Sequence, residues 1–446
     1  MKTTQASSRP TGAAWLRPFR NAGILALGRG MQGVLSLAYV ALASRTLGPS
    51  AFGVLVLVHS TVLVAAQLVR FQSWQAVLKY GAPALLASDR ESLHRVLFFA
   101  LGLDIVSAAL ASAILAHTMP AIAAFVGIPD TVAPLATLYA MSVAFVILGA
   151  APLGVLRLLD RHDLISWQTI VEPLVRCAGA VFLFVSDGSL AAFLLVWFIA
   201  TALGKGALFV AASKALAARG LSLQRAALDR RCLAPAPGIW RFSAGTNLSS
   251  MLNLNDTQIG PLLAGNLLGA ADAGLYRIAQ QVANVVSKPV HKLLVPAIYT
   301  DMSQLTAAGD RRTRRDVVAR SGPIAGLAGL AIFAFLAMFG ADLLALVFGD
   351  AYREAAGPML WLAFAGVLAT FAFPLAPLLM SGGKVRHVVI IRLAALAAYL
   401  VAFYLLVPAY ALLGAGVTVN VHALVTVAGM AWCARDLLRA DATRRP

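Results

Sequence analysis

Charge is what this sequence has least of. Only 12% of its 446 residues are Asp, Glu, Lys or Arg, 60% are hydrophobic, and the mean hydropathy is +0.81. That leaves too little polar surface to keep a chain of this length in water, so a bilayer must be its solvent. Cysteine is nearly absent as well. Cys177, Cys232 and Cys433 are far apart and form no CxxC or ligand spacing, which excludes a disulfide framework and a zinc site. The seven histidines make no HExxH or other metal pattern, and no GxxxxGK[ST] loop is present. A metal centre, a bound cofactor and an ATP-driven pump working through this chain alone are therefore not expected. Strand-like alternation is lacking, and hydrocarbon offers no partners for unpaired backbone groups, so the spanning elements should be helices. No basic stretch is interleaved with aromatics, so nucleic acid is not an expected partner.

What is present is a series of long apolar runs: 21–43, 53–78, 96–117, 133–156, 165–186, 189–213, 239–264, 321–348, 357–380, 388–408 and 411–433. These are eleven clear spans. The first lacks an evident small-residue cleavage site and should remain as a membrane helix. The stretch 272–300 would be a twelfth, but it carries Arg277, Gln280, Gln281, Asn284, Lys288, His291 and Lys292, so a hydropathy window can miss it. Charge decides the matter. Basic residues cluster in alternate connections, at Lys79–Arg95, Arg157–Arg161, Lys214–Arg231, Arg311–Arg320, Lys384–Arg386 and both chain ends. The intervening connections hold little more than Arg45 and Arg353, with a few acids. Cytoplasmic loops retain Lys and Arg, so the five arginines of 311–320 belong inside only if 272–300 crosses. The expectation is an all-α protein of twelve transmembrane helices with both termini cytoplasmic, its net charge of +17 mainly a topology signal. Anionic lipid of the inner leaflet is the natural partner of such loops.

The chain also repeats itself. Leu47-Gly48-Pro49-Ser50-Ala51-Phe52-Gly53 joins spans one and two, and Leu268-Gly269-Ala270-Ala271-Asp272-Ala273-Gly274 joins spans seven and eight. Ala151-Pro152-Leu153 with Arg161-His162 is echoed by Ala376-Pro377-Leu378 with Arg386-His387. Two matches at nearly one offset, each at the same place in a six-span half, imply parallel repeats about an axis along the membrane normal. The divisions are a segment 1–20, a lobe 21–214, a basic linker 215–237, a second lobe 238–437 and a tail 438–446.

Ser44 to Gly53, together with Leu267-Leu268-Gly269, Ala273-Gly274-Leu275-Tyr276, Pro289 and Pro296-Ala297-Ile298-Tyr299, resembles the polysaccharide biosynthesis proteins. These are the Wzx-type oligosaccharide flippases of the MATE-like MOP superfamily. The resemblance runs over essentially the whole chain. It implies a V-shaped pair of lobes in the bacterial inner membrane and transfer of undecaprenyl-diphosphate-linked glycan from the cytoplasmic to the periplasmic leaflet. The product would be O-antigen, capsule or exopolysaccharide, with a polysaccharide polymerase and export machinery as further partners. Lipid II flippases of the superfamily usually carry two additional spans, which this chain lacks.

A flippase needs cations and hydrogen-bonding groups at membrane depth, where ionisable side chains are costly. The candidates are Arg29 on span one, Arg70 on span two near Gln72 and Trp74, and a polar stripe on span eight: Gln280, Asn284, Lys288, His291 and Lys292. Arg29 and Arg70 could instead snorkel to the interface. Asp104 and Asp256 are candidate coupling or structural acids; Asp104 could equally serve an interhelical hydrogen bond. Glu172 and Arg176, four apart on span five, are read as a neutralising pair. Pro289 and Pro374 should kink spans eight and ten. Two rival classes remain. A MATE-type drug or cation antiporter should have an acid-rich cavity, and a membrane polymerase or glycosyltransferase should have a large exterior loop or an acidic site.

Overall fold

The computed structural model describes residues 17–221, 230–251, 256–307 and 310–439, and among them contains helices and turns but no strand. Its first element, α1 (Arg17–Val69), is 53 residues long, about 80 Å if straight at ~1.5 Å per residue. No bilayer core of about 30 Å accommodates that. The helix is broken at Gly48, whose φ of 70° and ψ of 173° only glycine adopts without strain. The two arms fold back on each other: Tyr39 and His59, almost equidistant from the break, pack on the same Trp197 indole, with ring centroids 5.6 and 5.0 Å away. Residues 70–72 then interrupt the second arm before α2 (Ser73–Leu86) completes it.

The chain continues through α3 (Arg90–Val126), the three short helices α4 (Ala133–Ala140), α5 (Ser142–Leu148) and α6 (Ala150–Leu158), then α7 (His162–Val185) and α8 (Leu190–Ala217). Residues 222–229 of the expected linker lie outside the described residues. The second half has α9 (Ile239–Met251), α10 (Asp256–Leu268), α11 (Ala270–Pro289), a π-helical turn at Val290–Leu294, and α12 (Val295–Ala307). It ends with α13 (Arg311–Phe348), α14 (Ala356–Phe371), α15 (Leu375–Ser381) and α16 (Val385–Arg439). The last is again a hairpin, broken at Ala411, because Gly429 packs on Ile391 and the Lys384 ammonium donates to the Cys433 carbonyl at 3.0 Å.

Eight stretches among the described residues are long and apolar enough to cross a membrane. Two of them, 30–69 and 385–435, are the hairpins. Counting each hairpin as two crossings, and adding α9–α10 and α11–α12, accommodates the twelve expected spans. α9, α10 and α12 are short helices of 13 residues each, and α11 carries the amides and cations of span eight. Proline accounts for the breaks in spans eight and ten: the π turn follows Pro289, and α14 is separated from α15 by residues 372–374.

The duplicated motif has a structural meaning. Gly269 takes up φ 95°, ψ 176°, the conformation of Gly48. A Cβ on Gly53 would lie 1.7 Å from the Ala270 carbonyl oxygen, and one on Gly274 would lie 2.7 Å from that of Pro49. Each glycine thus abuts the backbone of the opposite repeat in a reciprocal contact. The halves correspond elsewhere too. Asp89 caps α3 by accepting from the Ser92 N–H, and Asp310 caps α13 by accepting from Thr313, both at 3.0 Å. The Ser92 and Thr313 hydroxyls first, and these backbone bonds second, hold both carboxyls below the usual carboxylate range. Arg45 donates through Nε to the Val347 carbonyl at 2.9 Å, at the end of α13, while Asn266 donates to the Phe125 carbonyl at the end of α3.

Packing differs between the two ends of the molecule. Around Gly48 and Gly269 one continuous core joins both halves, with Phe52 edge-on to Tyr352 at 6.2 Å and the Tyr352 hydroxyl donating to the Ser44 carbonyl. Toward the basic loops the core divides. One cluster around Val77, Leu97, Leu156 and Leu208 belongs to the first half, and another around Met302, Phe373, Leu379 and Val388 to the second. Across the divide at that end a small cluster sets Ile239 and Phe242 at the start of α9 against Ala76 and Phe99. The lobes are therefore sealed at the Gly48 face and separated over much of the basic face.

Candidate functional site

Two adjoining cavities open on the inner side of the first lobe. The outer one, of about 460 Å³, is lined by Arg70, Gln72 and Trp74 from the break in span two, Arg157 from α6, His162, Gln168 and Thr169 from α7, and Lys205 from α8. The inner one, of about 180 Å³, is walled by Gln32, Ser36 and Tyr39 of α1, by Gln168, Thr169, Glu172 and Arg176 of α7, and by Lys205. Gln168, Thr169 and Lys205 belong to both walls.

The break at 70–72 explains how Arg70 comes to face a cavity. Its carbonyl, released from the helical ladder, accepts from the Asn247 amide of α9 at 3.0 Å, and its guanidinium donates to Gln67 at 3.3 Å. Gln67 and Gln72 both donate to the Ser250 hydroxyl, at 2.8 and 2.7 Å, which ties this segment to the end of α9 in span seven. The Trp74 indole donates to Gln72, and the Arg157 guanidinium lies 4.2 Å above its ring. Such cation–π packing offsets part of the cost of holding a guanidinium at membrane depth.

Deeper in, Arg176 donates to Glu172 at 2.7 Å, to Thr201 at 3.2 Å and to the Tyr39 hydroxyl at 3.4 Å, and its guanidinium sits against the Trp197 ring. The Glu172–Arg176 pair expected from the sequence is formed, and it is also part of the cavity wall. Lys205 approaches the second Glu172 oxygen at 3.5 Å. Across the lobes, the Gln281 amide donates to the Ser36 hydroxyl at 3.5 Å. The two linings together carry four permanent cations and one acid.

Of the residues singled out in the sequence, Arg70 lies in this site. The side chains of Arg29 and Asp256 lie outside the described residues. The span-eight stripe does not keep to one face, because its four-residue period drifts ~40° per step. Tyr276 and Gln280 are buried, the Gln280 amide oxygen accepting from Arg277 at 3.2 Å. Asn284 is half-buried, and Lys288, His291 and Lys292 are exposed. Gln280 is bonded within its own helix, and neither described cavity includes Gln280, Asn284, Lys288, His291 or Lys292. His291 and Lys292 do sit on the π turn, a local feature frequent at functional positions. That turn occupies the repeat position of the break at Arg70. Asp104 is fully buried and accepts from the Ala151 N–H at 2.8 Å, linking α3 to α6.

Lys205, Arg157 and Gln168 were not singled out. Lys205 had a signal, being an ammonium inside an apolar run. Arg157 resembled an ordinary loop cation, and only the fold turns it inward over Trp74.

Comparison with known proteins fits this architecture. Residues 19–305 match the family described as polysaccharide biosynthesis protein. The chain belongs to that family. It is 30% identical over 338 residues to the inner membrane protein YghQ of Escherichia coli K12, covering 75% of this chain and 94% of YghQ. In fold it is similar to an inward-facing multidrug resistance MATE family transporter of the MOP superfamily. The TM-score is 0.74 at 15% identity, over 93% of this chain and 96% of that one. It is similar also to the lipid II flippase MurJ in an inward closed conformation, with TM-score 0.71 at 11% identity over 94% and 90%.

Proposed function

We propose that this protein is a flippase that carries undecaprenyl-diphosphate-linked oligosaccharide from the cytoplasmic to the periplasmic leaflet of the inner membrane, for assembly of a surface polysaccharide. On this reading the basic face is cytoplasmic, both termini lie there, and the sealed Gly48 face is periplasmic. The observation that carries the proposal is the excess of cations, accompanied by amides, in a polar cavity at membrane depth and open toward the basic face. A diphosphate entering there meets Arg70, Arg157 and Lys205 with no carboxylate in the outer wall. Lys288, within electrostatic range of Arg277 and Lys292 on span eight, would extend this field from the second lobe. The acid-rich cavity expected of a drug or cation antiporter is not what these walls offer. Moving a −2 headgroup outward is favoured by a negative-inside potential, by about 4–5 kcal/mol at 100 mV, so that potential suffices as a drive, with Asp256 kept as a coupling candidate.

The test is transport of a diphosphate-linked lipid in reconstituted vesicles. A lost charge-assisted hydrogen bond is worth about 1.5–3 kcal/mol, so Gln at Arg29, Arg70, Lys288 or Lys292 should slow flipping roughly tenfold or more at equal protein level. Arg70→Lys should recover part of the rate, since a point charge still attracts phosphate without the guanidinium fork. Arg311→Gln in the loop should change little. Wild-type rates in all four neutral variants would refute the proposal.

A further inference from the structure

The two adjoining cavities differ in chemistry, and the difference assigns them to different parts of one ligand. The outer wall presents Arg70, Arg157 and Lys205 and no acid. The inner wall sets one acid, Glu172, against two cations, Arg176 and Lys205. Arg176 is 4% exposed and already committed to Glu172, Thr201 and Tyr39. The Glu172 carboxylate would repel an anion placed beside it. What remains to face the inner space is the Gln32 amide, the Ser36 and Tyr39 hydroxyls, bonded to each other at 3.3 Å, and the Gln168 carboxamide oxygen, whose NH2 is used on the Gly204 carbonyl at 2.9 Å, a set that together offers donors and acceptors. Lys205 and the second Glu172 oxygen, 3.5 Å apart, are loosely paired and can each make a shorter bond.

Such a set suits neutral hydroxyls, each of which donates one bond and accepts others. Size narrows the occupant. The inner space of about 180 Å³ is below the ~300–1,000 Å³ of sites that take drug-sized ligands, so it holds one ring and not a chain of them. The outer space, at about 460 Å³, is within that range. Because Gln168, Thr169 and Lys205 are common to both walls, an anion in the outer space and a ring in the inner one would be directly joined.

We propose that the inner cavity is a monosaccharide subsite, which takes the first sugar attached to the diphosphate while the outer cavity takes the diphosphate itself. This deepens the flippase reading and rests on it. Lys205 stands at the junction, where the glycosyl-phosphate bond would lie, and moves from Glu172 toward the phosphate when the site fills. Later sugars remain in the space between the lobes, so the first sugar is the one this wall reads.

The test is equilibrium binding to the full-length protein in lipid nanodiscs, with undecaprenyl diphosphate and the same lipid bearing one glucose, galactose or N-acetylglucosamine as probes. At least one sugar-bearing lipid should bind roughly tenfold more tightly than the bare diphosphate lipid, the amount two or three neutral hydrogen bonds supply. Gln32→Leu and Gln32→Ala, at a residue that lines the inner cavity and not the outer one, should abolish that preference and leave affinity for the bare lipid unchanged, which also shows that the variants are folded. Arg157→Gln should weaken both lipids alike. Equal wild-type affinity for bare and sugar-bearing lipids, or a proportional loss of both in the inner variants, would overturn the subsite alone. Failure of the wild type to bind either kind of lipid would overturn the flippase reading beneath it.

Discussion

The reciprocal glycine contact predicts that a single methyl group can shift the conformational equilibrium. In Gly53→Ala the new Cβ would stand 1.7 Å from the Ala270 carbonyl oxygen and 3.2 Å from the Gly274 nitrogen, where ordinary contacts begin at 3.4 Å. The obstacle is backbone on the opposite repeat, so no side chain can swing aside, and the lobes must part at the Gly48 face. Overpacking of this kind costs about 1–3 kcal/mol, which biases a two-state equilibrium by roughly 5–150-fold. The assay is labelling by a membrane-impermeant maleimide of a single Ser36→Cys reporter in oriented vesicles, with Cys177, Cys232 and Cys433 replaced by Ser. Wild-type protein should label from the basic side. Gly53→Ala should shift labelling to the Gly48 side, and Gly274→Ala should do so more weakly, its closest approach being 2.7 Å. Gly102→Ala, with nothing within 4 Å of the added Cβ, is the control. If Gly53→Ala labels as the control does, from the same side and at the same rate, the glycine pair is not the seal.

Topology should follow the basic loops: a reporter fused after Gly309 reads cytoplasmic and one fused after Gly269 periplasmic, and a shared compartment would remove span eight as a crossing. Asp104→Leu leaves the buried Ala151 N–H unpaired and should lower stability by about 1–3 kcal/mol, seen as a drop in Tm. Asp104→Asn, which keeps an acceptor oxygen, should lose much less and retain the wild-type dependence of transport on pH and sodium. An altered dependence in the Asn variant would make Asp104 a coupling group.

Much of the fold was legible because the membrane imposes it. Backbone groups must be satisfied within helices and spans must reach across the hydrocarbon, so long apolar runs and alternating basic loops already describe the crossings. Even the polar span eight could be placed from the five arginines that follow it. The repeat was legible as well, since Gly48 and Gly269 mark a backbone conformation that other residues rarely adopt. What local sequence could not supply was depth and facing. On span eight a period of four does not match a helix of 3.6 residues per turn, so Gln280 turned into the core while Lys288 stayed exposed. Arg157 lay in a basic loop by sequence, and only the stacking of α6 beside the break at Arg70 sets it over Trp74. The contact of Gly53 with Gly274, and the division of the cavity into a half without an acid and a half that holds Glu172, bring together residues from helices distant along the chain. Those arrangements depend on which helix faces pack together, a choice made by shape complementarity across the whole bundle and not by any one segment.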